Sequence, residues 1–270
     1  MFLVTSGNKW LTYKCFPFSG GEVSVKLDPE ETSFVYNINY PFHIKAHITS
    51  PSQIMELCLL VDALRQSYGN MDINLDCPYL PYARQDRVCA QGESLSLKVF
   101  ANILNALNFK TVTVADVHSD VALALINNVR NIPVEVTIRR FDDIFTGNPI
   151  LVAPDAGSIK KVLKVAQKCN LVMARADKIR DVETGDIIDT VVYNLPSNKP
   201  VLVIDDICDG GRTFIELAKA MQERTAQPLS LYVTHGIFSK GLDELLVYYD
   251  KIYCPYVFPH VSPNERLIRQ

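Results

Sequence analysis

Val201-Leu-Val-Ile-Asp205-Asp206-Ile-Cys-Asp209-Gly210-Gly211-Arg212-Thr213 passes from an apolar run into two adjacent carboxylates and then into a Gly-rich loop bearing a hydroxyl. The run predicts a buried parallel strand over Val201–Asp205, and the residues from Thr213 to Glu223 predict a helix. Strand, loop and helix in that order aim backbone N–H groups and the positive end of a helix at a phosphate. Two carboxylates at a strand tip repel each other unless something binds them, and they are acceptors for vicinal sugar hydroxyls. Tight packing alone also explains a Gly-rich turn, so the carboxylates carry the argument. A phosphorylated ribose is the simplest ligand that asks for both features.

Outward from this stretch, strands and helices alternate. Strands are predicted over Ser33–Tyr40, Asp72–Cys77, Thr111–Val117, Pro149–Ala153, Leu171–Arg175, Val201–Asp205 and Leu229–Thr234, with Met1–Gly7 holding a first one. Several are continuous Val/Ile/Leu runs, which suits strands covered on both faces. Helices are predicted over Ser52–Gln66, Leu95–Leu107, Ser158–Cys169 and Thr213–Glu223; the first places Ile54, Leu57, Cys58, Val61 and Leu64 on one side. The pattern is that of an α/β protein with mainly parallel sheets flanked by helices. Such sheets put ligands beyond the carboxyl ends of their strands, where Asp205, Asp155 and His118 fall. The plan runs twice, giving domains 1–140 and 141–270 joined near Arg139–Pro149, with the C-terminal tail placed to pack back on the first.

Composition narrows the class. The chain has 270 residues, 48% of them hydrophobic and 21% charged, enough for a sizeable core. A net charge of −3 without a Lys/Arg cluster predicts no nucleic-acid surface. No apolar run reaches membrane-spanning length, and the N-terminus lacks the pattern of a signal peptide. Seven scattered cysteines without a C-x-x-C pair fit reduced thiols in a cytoplasmic protein.

Three more constellations bear on chemistry. Pro81-Tyr-Ala-Arg84-Gln85-Asp86-Arg87 follows a strand, and its two cations suit a polyphosphate and a planar base, although a solvated loop with a surface ion pair has the same composition. His118 stands just beyond a strand, and Asp155 in Pro154-Asp155-Ala-Gly157 ends the next. An Asp plus substrate phosphates is ordinary magnesium chemistry, whereas zinc lacks further ligands at its spacing. Ala176-Asp-Lys178-Ile-Arg180-Asp-Val-Glu-Thr-Gly185 reads as a charged loop, either a lid carrying two cations or an exposed connection.

In this order the pieces resemble the ribose-phosphate pyrophosphokinase family over nearly the whole chain. The resemblance is carried by Phe18-Ser-Gly-Gly-Glu22, Pro81-Tyr-Ala-Arg84-Gln85-Asp86-Arg87, Val117-His118, Pro154-Asp155-Ala-Gly157, Lys178-Ile-Arg180, Ile204-Asp205-Asp206-Ile-Cys-Asp209 and Thr234-His-Gly-Ile-Phe-Ser239. It implies two phosphoribosyltransferase-like domains and magnesium-dependent transfer of the diphosphate of ATP to the anomeric hydroxyl of ribose 5-phosphate, with release of AMP. By motif, Phe18, Glu22, Arg84, Gln85 and Arg87 would bind the nucleotide, and His118 and Asp155 would position Mg2+. Asp205 and Asp206 would hold the ribose hydroxyls, and Asp209, Gly210, Gly211, Arg212 and Thr213 the phosphate. Lys178 and Arg180, with His118, would serve catalysis. A homo-oligomer is also implied.

The chain departs from the family pattern at three places. The loop usually reads Asp-Thr-Gly-Gly-Thr, but here a hydroxyl is lost at Gly210 and a long cation stands at Arg212. That change suits a larger 5-substituent, which makes ADP-ribose a rival acceptor. Gly20 replaces an Asp of the nucleotide loop, and Lys240-Gly241 replaces a Gly-Pro after Ser239. A catalytically silent regulatory relative is the alternative from another class. A phosphoribosyltransferase would leave the Arg84–Arg87 half idle.

Overall fold

A computed structural model describes residues 2–28, 40–180, 187–193, 195 and 198–269, with backbone only for 178–180 and 187–190. The predicted strand Ser33–Tyr40 lies outside the described residues but for Tyr40. The chain divides into two compact units, Met1–Ile132 and Pro133–Gln270.

The first unit opens with strands β1 (Leu3–Ser6) and β2 (Lys9–Leu11), a hairpin of β3 (Tyr13–Pro17) and β4 (Val23–Leu27), and β5 (Phe42–Lys45). Then come α1 (Pro51–Tyr68), β6 (Ile73–Asp76), α2 (Ser96–Ala106), β7 (Thr111–Ala115), α3 (Asp120–Leu125) and β8 (Val129–Ile132). Its six-stranded sheet runs β2-β1-β5-β6-β7-β8, parallel from β5 onward. α1 starts where expected because Ser50 and Gln53 form a capping box and Pro51 takes the first turn. It buries Leu57, Leu60, Val61 and Leu64 against the sheet.

The second unit comprises α4 (Val134–Thr137), β9 (Ile150–Ala153), α5 (Ile159–Cys169), β10 (Met173–Arg180), β11 (Ile187–Tyr193), β12 (Val201–Cys208) and α6 (Arg212–Gln222). It continues with β13 (Leu229–Gly236), α7 (Asp243–Tyr248), β14 (Lys251–Tyr253), β15 (Tyr256–Val257) and β16 (Leu267–Ile268). The sheet order is β11-β10-β9-β12-β13-β14-β16, with β15 beside β13, and only β11 is antiparallel to its neighbour. The tail thus adds β16 to the sheet of its own unit.

Arg139–Pro149, read from sequence as the connection, lies within the second unit. Ile138, Phe141 and Ile144 are buried there, Phe141 meets Tyr232 and Tyr253 edge-on, and the Tyr232 hydroxyl donates to Thr137 Oγ1 at 2.8 Å. An apolar segment packed this way belongs to the core it fills.

Two segments that bear on the candidate site also differ from expectation. Ala176–Arg180 is strand rather than loop, because it pairs antiparallel with β11, Ala176 opposite Val192 and Lys178 opposite Thr190. The β-branched run Thr190-Val-Val supplies its partner. β12 also runs three residues past the predicted end, so Asp205 and Asp206 both lie within a strand.

Candidate active site

In the first unit, Phe18 and Glu22 occupy the turn of the β3–β4 hairpin. Phe18 N–H donates to the Glu22 carbonyl at 2.7 Å and Gly21 N–H to the Phe18 carbonyl at 2.9 Å, with Gly21 at φ 96°. Both residues are exposed, and the Phe18 ring meets Phe16 edge-on at 5.5 Å. A Cβ at position 20 would meet only the carboxylate end of the exposed Glu22 side chain, which is free to swing aside.

Beyond β6, Leu80 and Ala83 are buried and pin a turn from which Arg84, Gln85 and Arg87 project into solvent. Asp86 turns the other way. It accepts from Ser119 Oγ at 2.6 Å and from Arg87 Nε at 3.0 Å, which together hold its carboxyl below the usual range, Ser119 contributing most. Ser119 follows His118, so one hydrogen bond ties the Arg84–Arg87 turn to the loop that carries His118. His118 is exposed.

In the second unit, β9 ends at a turn where Asp155 Oδ1 accepts from Ser158 N–H at 3.1 Å, while Ser158 Oγ donates to the Asp155 carbonyl at 2.9 Å. On β12, side chains alternate between faces. Leu202 and Ile204 pack into one cluster with Val162, Val165 and Ala166 of α5, so Asp206 faces α5 as well. There it accepts from Lys161 Nζ at 3.0 Å. Asp205 points to the other face, with one oxygen accepting from Asp206 N–H at 2.9 Å. Its carboxyl is crowded by protein while the residue keeps a partly open surface. Burial foremost, then the negative charges of Asp206 and Asp155, push its pKa well above the ordinary carboxylate value.

The loop after β12 is clasped by the turn after β13. The Cys208 carbonyl accepts from Ile237 N–H at 2.9 Å and Phe238 N–H at 3.1 Å, and Asp209 Oδ1 accepts from Ser239 Oγ at 2.7 Å. Gly211 caps α6 at φ 80°, and a Cβ there would stand 3.2 Å from Leu245. Both the conformation and the space call for glycine. The helix behind it buries Phe214, Ile215, Leu217, Ala218 and Met221, which aims its N-terminal amides back toward Asp209.

Residues 6–107 match the N-terminal domain of ribose phosphate pyrophosphokinase, and residues 134–258 match the phosphoribosyl transferase domain. Ribose-phosphate pyrophosphokinase of Cereibacter sphaeroides is 30% identical over 232 residues, covering 80% of this chain and 67% of its own. The chain belongs to the ribose-phosphate pyrophosphokinase family. The namesake from Thermosipho africanus is 27% identical over 234 residues, 84% of this chain and 71% of its own. Phosphoribosylpyrophosphate synthetase from Mycobacterium smegmatis shares the fold, with a TM-score of 0.81 at 19% identity over 96% of this chain and 86% of that one. Family membership makes the chain an enzyme of the diphosphotransferase type, built from two phosphoribosyltransferase-type domains.

Within the first unit the predicted Arg84–Arg87 and His118 segments come together through Asp86 and Ser119. Within the second, Asp155, Asp205 and Asp206 gather at the ends of β9 and β12. Lys178 and Arg180 lie on β10, and their side chains fall outside the described residues. Two neighbours of these motifs were not singled out from sequence: Ser119 and Lys161. Ser119 adjoins the quoted Val117-His118, so adjacency was a signal. Lys161 carried none beyond its place in the first turn of the helix after Asp155.

Proposed function

We propose that this chain transfers the β,γ-diphosphate of ATP to the C1 hydroxyl of ribose 5-phosphate, releasing AMP and forming phosphoribosyl diphosphate. The observation that carries the reading is the carboxylate group Asp155, Asp205 and Asp206 beside a glycine-capped helix start, which suits a ribose on one side and its phosphate on the other. In the reaction the C1 oxygen bonds to the β-phosphorus. The bond from that phosphorus to the α,β-bridging oxygen breaks, and the electron pair leaves with AMP as the hydroxyl gives up its proton.

Asp205 would accept from a ribose hydroxyl and fix the direction of attack, while Asp206, turned toward α5 and held by Lys161, would support it from the opposite face of the strand. Asp209 to Thr213, with the amides of α6, would hold the 5-phosphate. Phe18, Glu22, Arg84, Gln85 and Arg87 would hold ATP, the cations countering its phosphates. Lys178 and Arg180 would neutralise charge on the moving diphosphate.

Magnesium fits this donor set. Among the described residues no group of three or more Asp, Glu, His or Cys could hold a metal, so the ion would draw on substrate phosphates as well as protein. The hard oxygens of Asp155, and the crowding that raises the Asp205 pKa, favour a hard divalent cation. His118 would add a nitrogen by motif. When bound, Mg2+ supplies charge neutralisation on the polyphosphate.

Arg212 and the hydroxyl missing at Gly210 support a second acceptor, ADP-ribose, which has the same free anomeric hydroxyl. The exposed Leu3, Trp10, Phe16 and Phe18 of the first unit support a homo-oligomer. Among the described residues no helix is long and apolar enough to cross a membrane.

The test is to incubate the protein with ATP, Mg2+ and each acceptor and to separate the nucleotides. Acceptor-dependent AMP supports the proposal. ADP instead of AMP, or no nucleotide product with either acceptor, overturns it.

A further inference from the structure

Gly210 and Lys240 lie side by side in the second unit. A Cβ built on Gly210 would stand 3.6 Å from Cδ and 3.7 Å from Cε of Lys240, the separation of ordinary van der Waals contact. The lysine stem therefore lies over the glycine at contact distance. The turn that delivers Lys240 is well determined: Phe238 is at φ 46°, Gly241 at φ 77°, and Gly241 N–H donates to the Phe238 carbonyl at 2.8 Å. The same turn grips the loop through the Ser239–Asp209 hydrogen bond. Lys240 is thus anchored to the loop from behind while its residue surface is exposed. Among the described residues neither Lys240 nor Arg212 has an ion-pair partner.

Two long cations at the rim of one loop meet a particular anion geometry. The amides at the start of α6 suit the phosphate attached to the ribose C5. A monophosphate ends there. A diphosphate continues outward and carries its charge on two groups, the second of which needs donors beyond the reach of the backbone. Lys240 offers a flexible point charge and Arg212 a planar fork, both long enough to extend past the loop. A short hydroxyl at position 210 could serve only the first phosphate.

We propose that Lys240, paired with Arg212, is a specificity-determining residue that selects an acceptor whose ribose 5-position carries a diphosphate. This rests on reading Asp209–Thr213 as the acceptor's phosphate loop. The experiment is calorimetric titration of the full chain with ADP-ribose and with ribose 5-phosphate, for the parent, Lys240→Met and Lys240→Arg. Lys240→Met keeps the stem over Gly210 and removes only the charge. The Kd for ADP-ribose rises about tenfold in Lys240→Met, that for ribose 5-phosphate changes less than about twofold, and Lys240→Arg restores the parent ratio.

Equal weakening of both ligands, no weakening of either, or failure of the parent to bind either one overturns the proposal. AMP formation is scored separately. Its absence with the binding ratio intact sinks diphosphate transfer and not the selectivity. An unchanged ratio with AMP formation intact sinks the selectivity and not the transfer.

Discussion

Lys161 Nζ stands 3.0 Å from Asp206 Oδ2, joining the first turn of α5 to the strand that carries the paired carboxylates. The Asp206 side chain is only 9% exposed and the Lys161 side chain 26%, so water screens the pair weakly. The lysine also lowers the cost of gathering Asp155, Asp205 and Asp206 at one end of the sheet.

Lys161→Met therefore leaves a nearly buried carboxylate without this counter-charge. The expected cost is about 2 kcal/mol of stability, with an acceptor KM about tenfold higher and an ATP KM near the parent value. Lys161→Arg recovers most of the acceptor KM. Chemical denaturation and steady-state kinetics on the three proteins check this, and a uniform change in both KM values would mean general damage.

Asp205 gives a pH signature with a definite sign. Its pKa is raised in the folded chain, so the fold binds that proton more tightly than the unfolded chain does. The stabilisation is complete below the unfolded value of about 3.9 and is lost as pH rises toward the raised native value. Asp205→Asn removes this dependence. It should melt about 3 °C above the parent near neutral pH, with the gap closing toward pH 4, while acceptor binding is lost.

The sign reverses at Asp86, whose carboxyl is held low by Ser119 and then Arg87. Its contribution is present above the unfolded pKa and disappears as pH falls through the lowered native one. Ser119→Ala should cost about 1 kcal/mol at neutral pH and progressively less in acid. The ATP KM should rise several-fold as the Arg84–Arg87 turn loses its tie to the His118 loop. Thermal melts across pH together with ATP kinetics are the check.

Lys178→Ala should lower turnover by about 10²–10³-fold while ATP binding is mostly retained, since its charge is needed on the moving diphosphate. Turnover equal to the parent would remove Lys178 from the chemistry.

The α/β plan was legible because its strands are continuous apolar runs and its helices carry regular apolar stripes, as in Val201–Ile204 and in α1. What stayed hidden depends on partners far along the chain. Lys161 lies 45 residues from Asp206, and Ser119 lies 33 from Asp86. The β3–β4 hairpin went unread although Val23, Val25 and Leu27 alternate with Ser24 and Lys26 and Gly20-Gly21 lie in its turn. The second half of β10, Ala176–Arg180, reads as a loop because Asp177, Lys178 and Arg180 signal solvent, whereas pairing with β11 decides its conformation. Ending β12 at Asp205 hid the alternation that sends Asp205 and Asp206 to opposite faces. The candidate site was legible as motifs, and the Lys161 counter-charge to Asp206 was not.

The most direct test of the account is phosphorus NMR of the protein with ATP and Mg2+, run in parallel with ribose 5-phosphate and with ADP-ribose. The account predicts AMP together with a new diphosphate resonance on the anomeric carbon of an acceptor. Nucleotide signals that stay unchanged with both acceptors, or a product phosphorylated by a single phosphate with release of ADP, would contradict it.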